Sequence, residues 1–199
     1  LVSNVAGPAV AHAIGEWALS RHGFRPEFVR ATREAGGIRN AYEHPEALGP
    51  DRWCGMIGAW RRVRGPLVCI AAGTAMTIDA VDAAGTHLGG LIVPGHDLMI
   101  DSLLRRTSDI APAAHLAPPA GSGMLGRNTA AAIELGASHA LAALALRSID
   151  WGSRHVGTRP RVFLGGGDAT RIEPLLGVGV ELASGLVLEG LAAIAEGDG

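Results

Sequence analysis

Apolar residues recur at helical spacing in two segments of the first 65 residues. Val10, Ile14 and Trp17 fall on one side of a helix predicted over Pro8–His22. Residues 51–64 predict a second, amphipathic helix, which Gly65 and the proline after it end. Two helices joined by a polar, irregular stretch are therefore predicted before the chain reaches residue 66.

The hydrophobic pattern changes after residue 65. Leu67–Ala72, residues 76–81 and His87–Pro94 are apolar runs separated by short turns with Gly or Asp, which is typical of a strand meander. Further along, helices are predicted over 98–107, 129–148, 169–176 and 185–195, strands over 161–164 and 178–182, and a Pro-, Ala- and Gly-rich loop over 108–124. This order predicts a mixed α/β architecture, with a first domain over 1–65 and a second over 66–199.

Composition indicates a globular protein and gives no support for nucleic acid or membranes as binding partners. Of the 199 residues, 48% are hydrophobic and 18% are charged, and the net charge of −2 gives no support for a surface that binds nucleic acid or an anionic membrane. Glu134 and His139 interrupt the apolar stretch over 129–146, which favours a core helix over a membrane span. Cys54 and Cys69 lack the spacing of a metal site. A cytoplasmic location is expected, because these residues contain no leader pattern.

The sharpest candidate for chemistry is the segment Gly49-Pro50-Asp51-Arg52, at the start of the second helix. An Asp at a helix start is commonly a cap that accepts from free backbone N–H groups. Alternatively, Asp51 is a base that accepts a hydroxyl proton, while Arg52 grips an anionic group with two N–H donors. The segment alone leaves both interpretations open.

Four further segments place glycine where predicted elements meet. The Gly-Thr-Ala at 73–75 lies between two strands, where the backbone can approach a phosphate closely. Residues 89–95 read Gly-Gly-Leu-Ile-Val-Pro-Gly, and Gly-Arg-Asn-Thr at 126–129 opens a long helix whose free N–H groups can bind an anion. A glycine triplet at 165–167 joins a strand to a helix, where α/β folds receive nucleotides. Each segment is also compatible with an ordinary turn or cap.

Taken in this order, the motifs resemble those of type III pantothenate kinases, a family of the acetate kinase, sugar kinase, Hsc70 and actin superfamily. The resemblance covers essentially the whole chain. It implies an actin-like (RNase H-like) ATPase fold with two domains, and a homodimer with the substrate pocket at the subunit interface. The implied activity is transfer of the ATP γ-phosphoryl group, with magnesium, to pantothenate. This gives 4′-phosphopantothenate in the first step of coenzyme A synthesis.

The resemblance also implies site residues, position by position. Substrate binding is implied for Tyr42, Gly49, Pro50, Asp51, Arg52 and Thr129. Asp51 is in addition the implied proton acceptor, and Thr74 is the implied ATP contact.

Two features of the family are missing from these residues. The Asp-x-Gly-Asn-Thr segment that holds the ATP phosphates in the family does not occur in the 199 residues. Because Leu1 reads as the middle of a strand, we expect the native protein to have residues upstream of it, so that the first domain is truncated here. Ala71 stands where the family has an Asp that helps to bind potassium or ammonium. Since Ala offers no side-chain oxygen, we expect no potassium beside Ala71.

Two other functions remain open at this point. A catalytically impaired member of the family would act as a binding or regulatory protein, and Ala71 favours this reading. The intact motifs at 49–52 and 126–129 favour the enzyme. A different kinase of the same superfamily would lack the pairing of those two motifs.

Overall fold

The structure is a computed structural model and describes residues 1–107 and 123–197. Its elements are α1 (Pro8–His22), β1 (Glu34–Ala35), β2 (Ile38–Arg39), α2 (Pro50–Val63), β3 (Leu67–Ala72), β4 (Ala75–Val81), β5 (His87–Pro94), α3 (His96–Arg106), α4 (Thr129–Val156), β6 (Arg161–Gly165), α5 (Ala169–Leu176), β7 (Glu181–Leu182) and α6 (Leu186–Glu196). The predicted helices and strands agree with these bounds to within a few residues, except at the end of α4. The short strands β1 and β2 were not predicted and lie in the stretch that the sequence indicated to be irregular. Most of the loop predicted over 108–124 lies outside the described residues.

Helix α4 runs eight residues further than the pattern predicted. Ile149 and Gly152 continue its buried face beyond residue 148, so the longer helix keeps covering the sheet. Gly157 ends the helix in a left-handed conformation with a φ of 69°. In the sequence, Gly157 therefore marks the C-terminal end of α4, and a loss of apolar residues does not.

The main sheet has five strands in the order β5-β4-β3-β6-β7. Strand β4 is antiparallel to both of its neighbours, while β6 runs parallel to β3 and β7 parallel to β6. A meander followed by parallel strands on its other side is the topology of the RNase H-like fold. The predicted actin-like α/β fold class is confirmed.

Alternate residues of β3 face opposite sides of this sheet. Val68 and Ile70 pack in the core under α4 and α5. Leu67 and Cys69 belong to a second core, which α2 and α6 cover. Because side chains alternate along a strand, Ala71 shares the α2 and α6 side with Cys69.

Helix α2 is anchored by its apolar residues. Trp53, Met56 and Ile57 are buried and share a core with Phe163 of β6 and Leu186 of α6. This packing holds the first turn of α2 at the edge of the sheet where β3 and β6 end. Helix α2 precedes the predicted boundary at residue 65, and the division into domains over 1–65 and 66–199 stays a prediction.

Within residues 1–107 and 123–197, α4 is the one helix long and apolar enough to cross a membrane by length and composition. Its residues Ala131, Leu141, Ala145 and Ile149 are buried, and three of them pack against the sheet in the core. This packing supports the core helix that Glu134 and His139 favoured.

Candidate active site

A narrow cleft opens where β3 and β6 end and where α2 and α6 begin. Its volume is about 100 Å³. The lining includes Asp51 and Arg52 of α2, Ala71 of β3, Thr77 and Asp79 of β4, Gly165 at the end of β6, Gly166 after it, and Ser184, Leu186 and Val187 at the start of α6. Two helix N-termini at one cleft favour a negatively charged ligand, because their free N–H groups carry partial positive charge.

Asp51 lies half-buried in the first turn of α2 and lines this cleft. The N-cap of α2 is Gly49, and no side chain hydrogen-bonds to the free backbone N–H groups there. Within the described residues Asp51 has neither a hydrogen bond nor an ion pair. The structure therefore does not support the capping interpretation and leaves this carboxylate available to a ligand.

The thiol beside Asp51 is deeply buried. Burial raises the pKa of Cys54 to about 11, and the negative charge of Asp51 adds to the rise. Cys54 therefore stays a neutral thiol, and it is not a nucleophile of this site.

Arg52 turns to the other wall of the cleft and pairs with Asp79. Its Nε donates to Asp79 Oδ2 at 2.9 Å and its Nη2 donates to Oδ1 at 2.6 Å. The two side chains are only 5% and 3% exposed. Burial lowers the pKa of Arg52, but the hydrogen bonds and the charge of Asp79 outweigh this and raise it above the ordinary value. The two-pronged grip predicted for Arg52 is thus occupied by a carboxylate of the same chain.

Tyr42 and His87 complete a ring of contacts with this pair. Arg52 Nη1 donates to the Tyr42 hydroxyl at 3.0 Å, and its guanidinium lies over the Tyr42 ring. Tyr42 stacks on His87, with ring centroids 5.9 Å apart and an interplanar angle of 19°. His87 Nε2 lies 3.0 Å from Asp79 Oδ1. The ring therefore joins the loop before α2, α2 itself, β4 and β5.

Sequence reasoning missed Asp79 and His87 as parts of the site. The available signal was the alternation along β4, where Met76, Ile78 and Ala80 face one core and Asp79 falls on the opposite side. A charged residue at a central position of a buried strand requires a partner, and Arg52 supplies it.

Gly90 makes room for the Arg52–Asp79 pair. It is the cross-strand partner of Asp79 in the β4–β5 ladder. A Cβ at Gly90 would overlap Arg52 Nη2, Asp79 Oδ1 and the carbonyl oxygen of Ile78. The second glycine of the 89–95 motif is therefore required by the close approach of this ion pair.

Thr74 lies in a second, neighbouring cleft. It is exposed in the turn between β3 and β4, and its carbonyl oxygen accepts from Gly95 N at 2.8 Å. The cleft has a volume of about 210 Å³ and is lined by Gly73, Thr74, Asp97, Leu98, Asp101 and Asp168. Gly166 lines the Asp51 cleft and Asp168 lines this one, so both clefts border the turn after β6. A hydrogen bond from His96 lowers the pKa of Asp97.

Thr129 is placed apart from both clefts. It is the first residue of α4, whose N-cap Asn128 accepts from Ala131 N at 2.8 Å. Thr129 is exposed and lines neither the Asp51 cleft nor the Thr74 cleft. One copy of the described chain therefore brings together Tyr42, Asp51 and Arg52 but not Thr129.

Ala71 lines the Asp51 cleft opposite Thr77, its partner in the β3–β4 ladder. The carboxylate on the same face of β4, Asp79, is already bound by Arg52 and His87. No group of three His, Cys, Asp or Glu side chains within residues 1–107 and 123–197 is arranged to hold a metal ion.

Sequence comparisons with known proteins agree on one family. A sequence model of type III pantothenate kinases matches residues 1–150. Type III pantothenate kinases of Nitrosococcus oceani and Azoarcus sp. are 38% and 40% identical over 98% of this chain, and the chain covers 74% and 72% of their lengths. The corresponding enzyme of Aromatoleum aromaticum is 38% identical, with 98% of this chain and 78% of the relative covered.

A solved structure supports the fold. A protein of Campylobacter jejuni, described as a Baf family transcriptional activator, superposes with a TM-score of 0.55 over 92% of this chain and 77% of that chain. At 19% identity the likeness shows the fold alone.

Proposed function

Because this chain belongs to the type III pantothenate kinase family, we propose that it transfers the γ-phosphoryl group of ATP to the primary hydroxyl of pantothenate. This reaction opens coenzyme A synthesis. The observation that carries the proposal is Asp51, a carboxylate without a hydrogen bond or ion pair in the described residues, which lines a cleft at two helix N-termini.

Asp51 is the proposed proton acceptor. As the pantothenate hydroxyl oxygen bonds to the γ-phosphorus, the bond from that phosphorus to the β,γ-bridging oxygen breaks, ADP leaves and the hydroxyl proton moves to Asp51. The N-termini of α2 and α6 face the same cleft and stabilise negative charge on the transferring group. Catalysis of this kind depends mainly on positioning and charge neutralisation.

We place the ATP side of the reaction at the Thr74 cleft, which borders the same turn after β6 as the Asp51 cleft. Magnesium arrives with ATP and neutralises phosphate charge when it is bound. Asp97, Asp101 and Asp168 border this cleft but are not arranged as a direct metal cage, so a carboxylate here would contact the water ligands of a magnesium ion that the ATP phosphates hold.

A monovalent cation does not fit beside Ala71. The methyl side chain supplies no oxygen, and the Asp79 carboxylate is committed to Arg52 and His87. We therefore propose that the reaction proceeds without a potassium or ammonium ion at this position.

Pantothenate binding is proposed for the segment Gly49, Pro50, Asp51 and Arg52, with Tyr42 beside it and Thr129. Since Thr129 does not line the Asp51 cleft of its own chain, we propose a homodimer in which Thr129 of one copy reaches the pocket of the other. Two large exposed apolar residues that line one cavity would be buried by such an interface, Leu91 of β5 and Trp151 of α4. Light scattering at micromolar concentration should give twice the mass of one chain.

A direct assay tests the activity. The protein, expressed from its full coding sequence, is mixed with magnesium and ATP, and ADP release is followed with and without pantothenate. The proposal predicts pantothenate-dependent ADP release and a phosphorylated product by mass spectrometry. Binding of pantothenate or ATP without turnover would instead support a regulatory family member.

A further inference from the structure

Arg52 has few hydrogen-bond donors left for a substrate. A guanidinium group carries five N–H groups. Nε and Nη2 each give one to Asp79, and Nη1 gives one to Tyr42, so three of the five are engaged. One N–H on Nη1 and one on Nη2 remain. Their directions depend on how firmly the plane of the guanidinium is held.

The Asp79 carboxylate fixes the plane of the guanidinium through two hydrogen bonds, and His87 in turn contacts the carboxylate. The Oδ1 atom that accepts from Arg52 Nη2 also lies 3.0 Å from His87 Nε2. Since a carboxylate only accepts, His87 Nε2 is the donor in this contact. Nδ1 is buried and has no hydrogen-bond partner within the described residues.

His87 thus makes one polar contact in the described structure. Its side chain has no solvent exposure, and its other neighbour in the ring is Tyr42, on which it stacks. A merely space-filling role would be met by an apolar residue, without an unpaired nitrogen in the interior. The contact with Asp79 is therefore the feature that accounts for an imidazole at this position.

We propose that Asp79 and His87 are positioning residues for Arg52. They act together to aim its two uncommitted N–H groups at the acceptor substrate in the cleft. Asp79 clamps the guanidinium in plane, and His87 fixes the rotation of the Asp79 carboxylate. This inference rests on the proposed function, because pantothenate is taken as the ligand of Arg52. The pair does not touch the reacting atoms, so its loss acts on acceptor binding rather than on phosphoryl transfer.

Three substitutions at one position test this inference. His87→Phe keeps a flat ring on Tyr42 but removes the N–H donor, and His87→Met removes both the donor and the ring. His87→Gln restores an amide donor at a similar distance. Loss of the hydrogen bond should raise the KM for pantothenate about tenfold in the Phe and Met variants. The kcat and the KM for ATP should stay within about twofold of the unaltered protein, and the Gln variant should recover most of the loss.

His139→Gln is the matched control, since His139 lies on α4 and on the opposite side of the sheet, and it should leave all constants unchanged. If the Phe and Met variants lowered kcat and raised the KM values for pantothenate and ATP by similar factors, His87 would be a structural residue only. The same would follow if His87→Gln did not bring the KM for pantothenate back toward that of the unaltered protein. An unchanged KM for pantothenate in both the Phe and the Met variant would also exclude the positioning role.

A second readout does not need turnover. The Nε–H signal of Arg52 in a proton–nitrogen NMR spectrum, assigned by its loss in Arg52→Lys, should be sharp in the unaltered protein and broadened in His87→Phe. An unchanged signal in His87→Phe would overturn the positioning role. If the signal responds as expected but the unaltered protein does not phosphorylate pantothenate, the positioning stands and the proposed function fails.

Discussion

Gly58 of α2 and Gly190 of α6 face each other where the two helices cross. A Cβ on Gly58 would overlap the carbonyl oxygen of Leu186 and lie 3.1 Å from Gly190 N, and a Cβ on Gly190 would overlap the carbonyl oxygen of Cys54. The helices therefore touch through their backbones. Since Asp51 and Arg52 begin α2, and Leu186 and Val187 begin α6, this crossing sets the width of the cleft.

We expect Gly190→Ala to lower the free energy of unfolding by about 1–3 kcal/mol, because its methyl group forces the helices apart. The matched control is Gly136→Ala in the middle of α4, where a Cβ meets nothing within 4 Å. That change should raise the free energy of unfolding by about 0.5–1 kcal/mol through helix propensity. Urea denaturation of both variants measures their free energies of unfolding. If Gly190→Ala changed this free energy as Gly136→Ala does, the helix crossing would tolerate a methyl group.

Asp51→Asn should reduce turnover by roughly 100-fold or more, because Asn cannot accept the hydroxyl proton. Stability should barely change, since Asp51 makes no hydrogen bond or ion pair within the described residues. ATP affinity should stay near that of the unaltered protein. Steady-state kinetics together with a thermal melt test this, and undiminished turnover would remove Asp51 from the mechanism.

Replacing potassium with sodium should leave the activity of the unaltered protein unchanged. Ala71 contributes no ligand oxygen, and a carboxylate at that position would add both a ligand and a compensating charge. Ala71→Asp should therefore create potassium dependence if the rest of the site can surround an ion. Strong potassium activation of the unaltered protein would contradict the interpretation of this position.

The two thiols should react slowly while the protein is folded. The pKa of Cys54 is about 11, and burial with the charge of Asp79 raises the pKa of Cys69 as well. A raised thiol pKa means less thiolate, so at pH 8 labelling of Cys54 by a disulfide reagent should be about 100-fold or more slower than in the unfolded chain. Raising the pH toward 11 should speed the reaction. Rapid labelling at pH 8 would show that this helix opens readily.

The order of helices and strands could be predicted from the sequence because these elements follow local patterns, while the actin-like fold was implied by the family resemblance. The meander between residues 67 and 94 and the helices after it come from apolar periodicity and from Gly and Pro at their ends. The end of α4 was harder, because Ile149 and Gly152 prolong its apolar face and the capping Gly157 lies beyond it.

Some residues of the candidate site could be predicted from the sequence and others could not. Asp51, Arg52 and Thr74 were found from the sequence because each lies in a short motif at an element boundary, where backbone groups are free to bind a ligand. Asp79 lies inside β4 and His87 is the first residue of β5, outside any of the glycine motifs. No local pattern states that a carboxylate on β4 will meet an arginine 27 residues earlier in the chain.

The amino-acid sequence by itself determined the order of elements, the family and the residue types available for phosphoryl transfer. Only the tertiary structure decided which of them meet. It turns the bidentate face of Arg52 toward Asp79, closes the ring through His87 and Tyr42, and leaves Thr129 outside the cleft. The physical reason is that a buried charge must be paired, and the partner is selected by the packing of α2 on the sheet rather than by proximity along the chain.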